Sequence, residues 1–155
     1  VVRTHWEGDD RDVYPVHYFL SVPRSIILEE VATQRGDILV ADLYGRAKLK
    51  ILDGDLTVEN YSGGLEADVT RGRIRAEVLD LRPADSVRLA VGTGDIRLAL
   101  EPTASARVRA ESSDGVGGDW AATGTGRSAD FKIGAGDAAI TLKSASGRVE
   151  VFKVK

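Results

Sequence analysis

The chain has 155 residues, 43% hydrophobic and 29% charged, which excludes a disordered polymer and leaves enough length for one domain with a real core. Its net charge is −3, so the basic surplus of a nucleic-acid binder is missing. It has no cysteine, which excludes disulfides and thiolate metal centres.

The first predicted element is an N-terminal cap of strands over residues 1–35. Val13 to Val22 is rich in Val, Tyr, His, Phe and Leu, and Pro15 and Pro23 mark its two ends. Proline cannot donate to a strand ladder, so this stretch reads as an edge or capping strand. Ile26 to Thr33 reads as the next strand and leads into Gly36. No signal peptide stands at Val1, and a start without Met is what a trimmed or mature form would have.

Regular repeats fill residues 36–100. Gly36, Gly45, Gly54, Gly63 and Gly72 are nine apart, and the register returns at Gly94, Gly136 and Gly147. Two residues after each glycine comes an apolar side chain: Ile38, Ala47, Leu56, Leu65, Ile74, Ile96, Ala138 and Val149. Four residues after each comes another: Val40, Leu49, Val58, Ala67, Ala76, Leu98, Ile140 and Val151. The position between is mostly polar, as at Lys48, Thr57, Glu66, Arg75, Arg97 and Glu150. A period of two puts the apolar set on one face of a strand. Glycine supplies the backbone a tight corner needs. Two arms and two corners make a coil of about eighteen residues, and stacked coils share a core and satisfy each other's backbone. The expected fold is therefore an all-β, single-domain β-solenoid, with a meandering antiparallel sheet or sandwich as its rival.

Residues 101–127 are irregular. A strand is expected at Ala106 to Glu111, followed by a long Gly- and Ser-rich loop from Ser112 to Gly126. Closing repeats occupy residues 128–155, beginning with Phe131 and Ile133. No helix and no second domain are expected.

The search for chemistry returns little. His5 and His17 would need carboxylate help from Asp9, Asp10 or Asp12 to make a zinc site; they read instead as a frayed terminus and a strand residue, and no metal or cofactor is expected. Asp follows the repeat glycine only at Asp37, Asp55, Asp95 and Asp137, too seldom for a calcium ladder, and reads as corner chemistry. Gly92-Thr93-Gly94 and Gly124-Thr125-Gly126 do not complete a phosphate loop and precede no helix. Glu59, Glu66, Asp68 and Glu77 are outward strand positions that read as a solvated face, or as the acids of a carbohydrate-active enzyme on a β-helix. No catalytic residue is assigned.

Two places remain for a contact site. Trp120 lies in the long loop with Asp114 and Asp119, where a large aromatic marks either a contact or a lid folded over the core. Trp6 is a second aromatic of that kind. Arg71, Arg73 and Arg75 occupy alternate positions and read as an outward ladder, solvated or anion-binding.

Several segments carry a resemblance to a known family. They are Phe19-Leu20-Ser21-Val22-Pro23, then "GDILV", "GRAKLKI", "GDLTV", "GLEADV" and "GRIRAEV", and the closing pair "GDAAITL" and "GRVEVFKV". The chain resembles bacterial domains of unknown function that carry an adhesin label, from about Tyr18 to its end. The resemblance implies an all-β solenoid, an extracytoplasmic place in the envelope or outside the cell, and no catalytic residues. The expected role is a structural or binding domain with a protein or glycan partner, no nucleic acid and no membrane insertion by this segment. A self-assembling β-helical scaffold, joined end to end, is the alternative.

Overall fold

The computed structural model describes residues 22–120 and 126–154. The expected strand at Val13 to Val22 lies almost wholly outside the described residues, as do His5, Trp6, Asp9, Asp10, Asp12 and His17. The described residues hold twelve strands and no helix. They are β1 Ser25–Arg35, β2 Ile38–Ala41, β3 Tyr44–Asp53, β4 Leu56–Arg71, β5 Ile74–Asp80 and β6 Ser86–Thr93. Then follow β7 Ile96–Leu100, β8 Ala106–Ser112, β9 Val116–Gly118, β10 Ser128–Ile133, β11 Ala138–Ser146 and β12 Val149–Lys153.

The strands build two walls around one core. One wall runs β1, β3, the second half of β4, β6, β11, β8, β10. The other runs β2, the first half of β4, β5, β7, β12, β9. Pairing is parallel everywhere except between β8 and β10, as coils of one hand require. Ile38 pairs with Leu56, and Leu56 with Ile74, so the coil repeats every 18 residues. The next step is longer: Ile74 pairs with Ile96 and Leu65 with Val87. The extra residues form a turn at Arg82 to Asp85, closed by Asp85 N–H donating to the Arg82 carbonyl at 2.9 Å.

The pleat drives the burial. Of the sixteen apolar positions two and four past the repeat glycines, all but Ile38 are buried, and Ile38 packs against the same core. At about 25 cal/mol per Å² this apolar face is what holds the coils together. Gly36, Gly54, Gly72, Gly94 and Gly147 stack in a column at one corner, all with φ between 127° and 150°. A Cβ on Gly72 would be driven into the Gly54 carbonyl oxygen, so both the backbone angle and the close approach demand glycine there. At the opposite corner Asp42 (φ 56°) and Asn60 (φ 50°) take the left-handed turn, three residues before Gly45 and Gly63.

The last part of the chain departs from sequential stacking. The closing pair β11–β12 lies between β6–β7 and β8–β9, so the irregular segment forms the outer coil and the last repeats sit inside it. Strand β10 returns antiparallel along one side of β8. A tight turn at Gly134 (φ 58°) and Gly136 (φ 78°) then straddles Ser105, whose Oγ accepts the Gly136 N–H at 3.0 Å. That turn sends β11 up the other side of β8. The segment expected as a long loop from Ser112 to Gly126 carries the short strand β9.

Candidate functional site

The three arginines do not form one strand face. Arg71 ends β4, Arg73 stands in the corner after Gly72, and Arg75 is on β5, so the trio wraps the glycine corner. Their neighbours one coil away explain two of them. Arg71 meets Asp53 at 3.3 Å and Arg73 meets Asp55 at 4.0 Å. The corner acids have a second task. Asp37 accepts the Asp55 N–H at 2.7 Å, Asp55 the Arg73 N–H at 2.8 Å, and Asp95 the Arg148 N–H at 2.8 Å. Each carboxylate caps the donor of the coil above, so the Gly-Asp pairs hold the corner together. At the end of the inner row, buried Ser144 and Ser112 donate to the Gly94 and Gly147 carbonyls at 2.8 and 2.6 Å.

Arg75 behaves differently. It is exposed, it pairs directly across the ladder with Arg97, and among the described residues it makes no ion pair. Arg97 is held from its other side by Glu150 at 3.0 Å. A shallow groove of about 150 Å³ runs past these guanidinium groups, lined also by Thr57, Arg73, Asp55 and Asp95. A second groove, about 320 Å³, lies on the other wall between Glu66, Asp68, Arg88, Thr141 and Lys143. The 18-to-22 change in coil length hides the Arg75–Arg97 pair from the sequence, because it falls off the nine-residue register.

Trp120 folds back as a lid. It packs, half-buried, against the core; its Nε1 donates to the Phe152 carbonyl at 3.4 Å and the Lys153 ammonium stands 4.6 Å from its ring centre. Asp119 is engaged beside it. Its N–H donates to the Val151 carbonyl at 2.9 Å and its carboxylate accepts the Lys153 N–H at 3.2 Å. Asp114 is exposed; its N–H donates to the Ser112 hydroxyl at 3.2 Å and its carboxylate accepts the Ser113 hydroxyl at 2.9 Å. The loop residues therefore seal one end of the solenoid, well separated in the wall order from Arg75.

The outward acids are divided between the walls. Glu66 and Asp68 lie on the half of β4 that pairs with β3 and β6, whereas Glu59 and Glu77 belong to the wall of β2, β4 and β5. Glu66 is also paired with Lys48 at 3.9 Å. Among the described residues no group of three His, Asp or Glu gathers as a metal site. No helix there is long and apolar enough to cross a membrane.

Sequence reasoning missed Tyr61. It is buried, and its hydroxyl donates to the Gly64 carbonyl at 2.8 Å and lies 3.1 Å from that of Gly45. Burial, with the Asp85 carboxylate adding to it, pushes the phenol up to about 12. This is an internal brace rather than a reactive group.

The sequence profile of the family described as Toastrack DUF4097 matches residues 29–152. Among curated proteins none matches the chain. Among solved structures, the chain is similar to a crystal structure described as a putative cell adhesion protein from Clostridium sporogenes ATCC 15579, with a TM-score of 0.60 and 12% identity. That likeness covers 72% of this chain and 57% of the other, and at this identity it is a likeness of fold.

Proposed function

The chain belongs to the Toastrack DUF4097 family, and on that premise we propose that it is a non-enzymatic binding domain of a bacterial envelope or secreted protein. Its work is to hold a rigid β surface out to a protein or glycan partner. The observation that carries this reading is the architecture: two walls locked by one continuous core, each with outward rows of charged side chains set at strand spacing. Such walls offer shape and charge on a fixed lattice. The adhesion label of the similar solved structure supports the same role and an extracytoplasmic place.

The test is retention on the immobilised domain. Components of bacterial envelopes or of extracellular matrix are expected to be held, released by salt, and recovered chemically unchanged. Recovery of a cleaved partner, with reducing sugar or another product accumulating over time, would replace a binding role with an enzymatic one.

A further inference from the structure

We infer that the groove on the β4–β5–β7 wall, centred on Arg75 and Arg97, is a binding site for an anionic polysaccharide. This deepens the binding role proposed above and rests on it.

Two like charges directly opposed in a ladder are destabilising. Most of its charged columns avoid the arrangement by alternating signs. Asp53 faces Arg71, Asp55 faces Arg73, Lys50 meets Glu30 and Lys143 meets Glu111. Arg75 opposite Arg97 breaks that rule in the middle of a wall, beside a groove. The other opposed cations, Arg107 on β8 and Lys132 on the edge strand β10, stand beside the Arg109–Asp130 ion pair and line neither groove. Glu150 balances Arg97 from one side only, and Glu77 lies two residues along β5 without pairing with Arg75. An oxyanion held by each fork would satisfy the two guanidinium groups, since a guanidinium takes a carboxylate or sulfate in two parallel bonds. Thr57 supplies a further donor in the same groove, and the two carboxylates that line it are engaged, Asp55 with Arg73 and Asp95 with the Arg148 N–H.

The spacing selects the class of polymer. Arg75 and Arg97 sit on adjacent strands, so they repeat at about 4.8 Å across the wall. That step is close to the length of one sugar ring, so a chain laid across the strands sets one sugar over each arginine. An extended acidic peptide presents same-side carboxylates every second residue, at about 6.6 Å, and falls out of step. Shape and charge together favour the glycan.

The experiment uses the whole chain and compares polygalacturonate, dextran sulfate, neutral dextran and poly-glutamate by surface plasmon resonance. Polygalacturonate or dextran sulfate is expected to bind, the stronger of the two naming the acid group, and neutral dextran is not. Arg75→Gln is expected to weaken that binding about tenfold, the weight of one charge-assisted contact. Arg88→Gln, an exposed arginine on the opposite wall with the same change in net charge, should leave it within about twofold. Equal losses in the two variants would reduce the effect to bulk charge and overturn the site. Poly-glutamate binding as tightly, with the same dependence on Arg75, would overturn the polysaccharide assignment. If no polyanion binds while the immobilised domain still retains an envelope component, this inference fails and the binding role stands.

Discussion

At the scale of single residues, the most instructive side chain is a phenol with no chemistry to perform. Tyr61 fills the opposite corner from the glycine column and gives a donor near two backbone carbonyls at the place where β4 crosses from one wall to the other. Its burial favours the neutral form, so the folded chain keeps a proton up to about pH 12 that an unfolded tyrosine loses near 10.0. The folded pKa is the higher one, so this contribution is full below pH 10, falls as pH rises toward 12, and is gone above it. The loss is on the order of 2–3 kcal/mol. Urea unfolding midpoints of the native chain should therefore drop across that window. Tyr61→Phe should lower stability by about 1–2 kcal/mol at neutral pH, since the Gly64 carbonyl loses its donor, and should flatten the alkaline drop. An unchanged alkaline drop in the variant would move the effect to another group.

At the scale of elements, stability is passed along the walls in an order different from the chain's. Strand β8 enters its wall only through β11, and β9 enters the other only through β12. The segment made earlier thus depends on the segment made later. Leu142→Ala in β11 empties a fully buried site and should cost about 3 kcal/mol. Native-state hydrogen exchange should then speed up in β8 as much as in β11. Val108→Ala in β8 should speed exchange in β8 and β10 while β11 keeps its bonds to β6. Protection of β8 that survives the loss of β11 would contradict this dependence. The same contrast explains what could be read from residues alone. Corners and pleats are local, so Gly54, Leu56 and Val58 announce them within five positions, and the Gly-Asp corner chemistry was legible too. The insertion of β11–β12 joins residues 53 apart on one side and about 32 on the other, and no local pattern encodes which gap a strand enters. The Arg75–Arg97 pair was hidden for a related reason, because it depends on the four extra residues around Pro83. Arg71 and Arg73 looked like members of the same ladder only because the corner between them was placed by sequence and not by direction.

At the scale of the whole molecule, the two walls end differently at the β9–β10 end, and this bears on assembly. Strand β9 runs parallel to its wall and is three residues long, whereas β10 runs antiparallel to its own. Among the described residues the β10 wall counts seven strands and the β9 wall six, so a second copy stacked end to end meets one wall a strand before the other. Among the described residues β10 pairs only with β8, which leaves one edge of this six-residue strand as a hazard, with Ala129, Phe131 and Ile133 turned inward. Its outward side chains are Ser128, Asp130 and Lys132, and Asp130 is tied to Arg109 at 3.2 Å. Charges on an edge strand oppose pairing with another chain, because burying them beside a neighbour costs their hydration. The double change Asp130→Val and Lys132→Val removes that barrier and leaves the core untouched. Sedimentation velocity should then show a faster species growing with concentration that is absent, or much weaker, in the native chain under the same conditions. If native and variant chains sediment alike at every concentration, the charges on β10 are not what keeps this edge apart, and the lid formed by Trp120 would be the next feature to remove.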